Sequence, residues 1–148
     1  MIGFLIGAAA IAVLAFSVIQ FALLWAGQGA VETAAHFAAR KFALNARGDF
    51  RSAKSSALAE ASFHCKNRPG GKWESAALTS INFARDGEDN PVTRAISGEA
   101  YRVHLSHGIE LIVPWINRIL FLVAPIPKTC VGNKYYLFLH ATRWVTVE

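Results

Sequence analysis

The chain has 148 residues, a formal charge of +5 and 53% hydrophobic residues. All 15 Lys and Arg residues lie at or after Arg40, scattered singly, so they form no basic stripe of the kind that follows nucleic acid. Outside an apolar N-terminal segment about 120 residues remain, enough for one domain with a modest core.

From residue 1 to residue 31 there is no Asp, Glu, Lys, Arg or His, and the polar side chains are Ser17, Gln20 and Gln28. About 20 apolar residues cross a bilayer core of about 30 Å as a helix. Residues 1–26 meet that length, and a transmembrane helix is expected there. A secretory signal would carry a basic stretch and a shorter apolar run of about 7–15 residues. Residues 27–46 continue in helix-favouring residues with no Pro and no Gly beyond Gly29. One unbroken helix is therefore predicted, apolar in its first half and an amphipathic stem in its second. Phe37, Phe42 and the alanines supply the apolar face of that stem, and Glu32, Arg40 and Lys41 its polar positions.

Small residues recur at every fourth position, at Ala22, Ala26, Ala30, Ala34 and Ala38, and Gly3 with Gly7 makes a GxxxG. Such spacing lets helix backbones approach closely in lipid. Alanine's helix propensity alone accounts for the same pattern. Gln20 favours association, because a lone amide in lipid seeks a hydrogen-bonding partner. These eight positions form the candidate helix-packing interface.

Asn45-Ala46-Arg47-Gly48-Asp49 breaks the helix. Asp49 is placed to cap a second helix running from Phe50 to about Phe63, with Phe50, Ala53, Ala57, Leu58 and Ala61 at helical spacing. Residues 66–71 read as a loop, and Ile81 and Phe83 predict a strand around Thr79–Arg85. Residues 86–91 form another loop, whose acids lack the closing carboxylate of a calcium-binding loop and read as a solvated turn.

Beyond Gly98 the pattern alternates. Tyr101, Val103 and Leu105 face one way and Arg102, His104 and Ser106 the other, as in a half-buried strand. His107-Gly108 reads as a tight break before the apolar residues 109–113. The run WINRILFLV (115–123) is too short to span a membrane and fits a short helix on the core or at a lipid surface, ended by Pro125 and Pro127. Residues 134–147 read as a long strand. Tyr135, Leu137, Leu139 and Ala141 form one row, and Tyr136, Phe138, His140, Thr142 and Trp144 the other. The expected class is α+β: a long N-terminal helix covering one face of a small antiparallel sheet, with a second short helix, residues 47–148 forming the domain.

Cys65 and Cys130 stand far apart with no CxxC. One disulfide in an oxidising compartment is expected, and closing so long a loop stabilises by about 4 kcal/mol in the chain-entropy model. Two free thiols is the alternative. His64 adjoins Cys65, but no second close pair completes a metal set, and no metal or cofactor is expected. His36, His64, His104, His107 and His140 are accompanied by no nucleophile elbow, zinc helix, phosphate loop or dinucleotide fingerprint, so no enzyme is expected.

Two stretches carry a family resemblance. VIQFALLWAGQGAVETAAHFAARKFA (18–43) resembles the membrane helix and stem of the TadE- and TadG-like minor pilins of tight-adherence (Flp-type) pili. YRVHLSHGIELIVPW (101–115) and LFLHATRWVTVE (137–148) are similar to that family's strand, turn and closing strand. Gly3 stands where the family usually has Glu, and Gln20 where an acid often sits deeper in the helix. The resemblance implies a structural minor pilin in a bacterial inner membrane, with its C-terminal domain in the periplasm. It would help initiate, cap or assemble a pilus, within a hetero-oligomer of other pilins and a membrane assembly platform. The alternative is an accessory subunit of an envelope secretion or assembly complex that never enters a filament.

Overall fold

The computed structural model describes residues 2–67, 77–85, 87 and 92–147. The apolar opening and the stem form one helix, α1 (Ile2–Asn45), followed by α2 (Phe50–Lys66). The Asp49 carboxylate accepts the Arg51 and Ser52 N–H groups at 3.3 and 3.0 Å, so the second helix starts at the expected cap. Strands β1 (Thr79–Arg85), β2 (Ala100–Glu110), β3 (Lys128–Val131) and β4 (Lys134–Thr146) form one antiparallel sheet in the order β1-β2-β4-β3, with α3 (Ile116–Val123) between β2 and β3. The class is α+β, as expected. The loop readings at 86–91, Gly87 apart, and at 68–71 lie outside the described residues.

One core joins the three layers. The second half of α1 contributes Val31, Ala34, Ala35, Ala38, Ala39 and Phe42; α2 contributes Ala53, Ala57, Ala61 and Cys65. The sheet closes over them with Ile81, Phe83, Tyr101, Val103, Leu105 and Ala141. Alanines on both helices let their backbones come close, and the aromatic rings fill what remains. Phe42 stacks on Phe83 with centroids 4.0 Å apart, and Phe50 meets it edge-on at 5.6 Å. Phe42 has no solvent exposure, and truncating such a ring to Ala costs about 3–5 kcal/mol.

In β2 the row Tyr101, Val103 and Leu105 is the buried one, as the alternation predicts. The expected break at His107-Gly108 does not occur. Pairing with β4 continues through His107↔Leu139 and Gly108↔Phe138 to Glu110↔Tyr136. Gly108 serves packing, not turning: a Cβ there would lie 2.9 Å from Leu78 Cβ and 3.4 Å from Phe138 Cε1. The neighbouring elements need that space empty.

Strand β3 has no counterpart among the expected elements. Its signal lies in Val131-Gly132-Asn133-Lys134, where a Gly-Asn pair makes a two-residue hairpin with Gly132 at φ 61°. A Cβ at that φ is strained, whereas glycine is not.

Candidate functional site

The two halves of α1 meet different surroundings. From residue 2 to residue 19 every side chain is exposed apart from the half-buried Ser17, and the exposed set includes Ile2, Phe4, Leu5, Ile6, Ile11 and Leu14. From Val31 to Phe42 the same helix is built into the core. An exposed apolar surface of this length is the kind that marks a membrane or protein contact. The helix is long and apolar enough to cross a membrane.

Between the halves lies a junction. Gln20 is fully buried, and its Oε1 accepts the Val113 N–H at 2.9 Å. The amide expected to seek a partner helix is therefore satisfied on its carbonyl side within its own chain. Its Nε2 is buried with no partner among the described residues. About two turns further, Gln28 Nε2 donates to Glu32 Oε1 at 3.2 Å and to the His140 carbonyl at 3.3 Å, and Arg143 reaches Glu32 at 3.6 Å. These polar ties fix the stem to β4 just above the bare helix.

The alanine row does not form one face. Successive fourth positions advance around a helix by about 40°, so Ala22 and Ala38 differ by about 160°. Ala34 and Ala38 are buried in the protein's own core, and Ala30 is half-buried. Ala22, Ala26, Gly3 and Gly7 are exposed, and a Cβ at either glycine would meet nothing within 4 Å. The expected eight-residue interface thus splits into an internal part, Gln20, Ala34 and Ala38, and an outward part.

The expected disulfide is absent. Cys65 is buried in the last turn of α2, which packs on the β1 edge of the sheet, whereas Cys130 is exposed on β3 at the other edge. The Cys130 thiol instead faces the Gly132 carbonyl at 3.4 Å. With the sheet's full width between them, the two sulfurs are not joined.

The histidines are occupied singly. His107, expected in a turn, is fully buried in β2 with Nδ1 2.8 Å from Thr79 Oγ1. His104 Nδ1 lies 2.9 Å from Thr142 Oγ1, and His64 pairs with Glu60 at 3.4 Å and stacks on Phe37. Among the described residues no group of three His, Cys, Asp or Glu side chains is placed to hold a metal ion. His36, Arg40, Arg47 and Arg143 line an open groove between α1 and the end of β4, beside Trp144.

Next to the Gln20 junction the backbone does something uncommon. Trp115 has φ 71° and ψ −51°, and the Ile116 N–H closes onto the Pro114 carbonyl at 2.8 Å. That is the positive-φ γ-turn, rare and strained for a residue with a side chain. The turn starts α3. Lys128 ends it, donating to the Leu122 and Ala124 carbonyls at 3.3 and 3.2 Å while its ammonium sits 5.4 Å from the Phe121 ring centroid.

No protein-family model matches the chain, and neither a curated protein nor a solved structure does.

Proposed function

We propose that this protein is a membrane-anchored structural subunit of the minor-pilin type, held in a bacterial inner membrane by the first half of α1 with its α+β domain in the periplasm. One observation carries the reading: a single helix is bare and apolar through residue 19, then buried under α2 and the sheet from Val31 onward. That division gives a lipid- or neighbour-facing shaft with a folded head. In lipid, helices associate where small residues let backbones approach, and Gly3, Gly7, Ala22 and Ala26 remain exposed for it. The family resemblance of the stem and the closing strand supports the same reading. The outward small residues would pack against neighbouring pilins during assembly.

Ala22→Leu with Ala26→Leu tests this. Both positions face away from the core, so the fold is retained while close helix approach is blocked. Loss of copurification with partner pilins from detergent extracts is expected. Unchanged copurification contradicts the packing role. Copurification with an envelope complex that contains no pilin favours the accessory-subunit alternative.

A further inference from the structure

We propose that α3 and the turn before it are a second membrane contact: Trp115, Ile119, Leu122 and Val123 lie in the headgroup layer of the bilayer that α1 crosses, so the head rests on phospholipid. This rests on the anchor reading above.

The level is set by Gln20. Residues 2–19 rise about 27 Å as a helix, close to the roughly 30 Å of a hydrocarbon core. The hydrogen bond from Val113 to Gln20 therefore comes where hydrocarbon gives way to headgroups. Helix α3 begins three residues later and itself touches α1. Trp25, which is 84% exposed, stands about 7 Å further along the shaft. Trp side chains concentrate at this depth because the ring is apolar and its N–H needs water or a headgroup.

The surface fits that level. Ile119, Leu122 and Val123 are spaced i, i+3 and i+4, one stripe along α3, Trp115 lies in the turn just before it, and the four exposures run from 55% to 81%. The helix is held down by Ile116, buried at its start, and on the side away from the stripe by Phe121, packed on Tyr135 at 4.9 Å between centroids. A short helix with one anchored face and one bare apolar face is the form of an interfacial element. Trp115 and Ile119 also line an open groove with Tyr135 as a further apolar wall and Asn117, Asn133 and Arg118 among its polar groups. Apolar walls beside amide and guanidinium donors suit an acyl chain with its phosphate. The strained turn at Trp115 points the same way. The main chain holds an unfavourable φ around a side chain that is 81% exposed, so burial within its own fold offsets little of that strain.

The test uses the full chain in phosphatidylcholine–phosphatidylglycerol vesicles at high lipid excess, with acyl chains brominated near the headgroup. Trp25, Trp73 and Trp144 are changed to Phe so that Trp115 alone emits. Two companion proteins carry a sole Trp at position 144 or, through Phe16→Trp, at position 16. Trp144 borders Leu44 and Arg47, about 36 Å along the shaft from Gln20, and serves as the distant control. The expected result is an about two-fold loss of Trp115 emission with brominated lipid, quenching at position 16 and none at Trp144. Quenching at position 16 without quenching of Trp115 overturns the α3 contact and leaves the anchor standing; this is also what a neighbouring subunit seated on the stripe would give. Quenching at neither position overturns both readings. Equal quenching of Trp115 and Trp144 overturns the inference as well, because it shows no preference for the α3 end of the head.

Discussion

Gln20 and Val113 are joined by a 2.9 Å hydrogen bond across 93 residues of sequence, and this bond ties the foot of the folded head to the shaft. Gln20→Leu removes the acceptor from a buried N–H of residue 113. Leaving such a donor unpaired costs about 1–3 kcal/mol. Thermal unfolding in detergent micelles is expected to show a lower midpoint, and the Val113 amide to exchange faster with solvent. A midpoint equal to that of the unaltered protein contradicts the role given to this bond.

Trp115→Gly is expected not to destabilise the fold. Glycine adopts a positive φ without penalty, so relief of the turn at φ 71° offsets the lost ring contacts. Denaturation of the full chain in micelles is expected to give unchanged stability or a gain of about 1 kcal/mol. Trp115→Val, which puts a β-branched side chain at the same φ, is expected to be less stable than the Gly variant.

Two glycines form an internal comparison. Gly108→Ala places a methyl group against Leu78 in a fully packed strand, at an expected cost of about 1–3 kcal/mol. Gly29→Ala, in the helix with nothing within 4 Å of its Cβ, is expected to gain about 0.5–1 kcal/mol. Melting midpoints of the two variants measured side by side check both signs.

The alanine row supplies another pair. Ala38 has no exposure and sits in the core shared by α1, α2 and the sheet, so Ala38→Leu overpacks it by three heavy atoms and costs about 1–3 kcal/mol. Ala22 is exposed, so Ala22→Leu is expected to leave the melting midpoint unchanged while weakening association with partner helices. Equal destabilisation by the two would mean that the row is one face after all.

What could be read from residues alone follows the range of the interactions. The unbroken first helix, the Asp49 cap, β1 and the buried row of β2 are written in local composition and periodicity. The run of β2 through Gly108 is not, because the reason for that glycine is Leu78, thirty positions earlier in the chain. The Ala22-to-Ala38 row misled for a geometric reason: spacing by four looks like one face over two turns and drifts across the helix over five. Sequence reads Gln20 as an amide that favours association with another helix, and does not show that its carbonyl accepts from Val113 of its own chain. The thiols failed similarly, since spacing along the chain says nothing of the sheet that separates Cys65 from Cys130.

The central claim, a pilin-type subunit anchored by α1, is tested most directly by locating the intact protein in its own cells. Surface filaments are sheared off, and the remaining membranes are washed with alkaline carbonate. The account predicts that the protein resists carbonate extraction and that a share of it appears in the sheared filaments. Release by carbonate, or confinement to the membrane with none in the filaments, would contradict it.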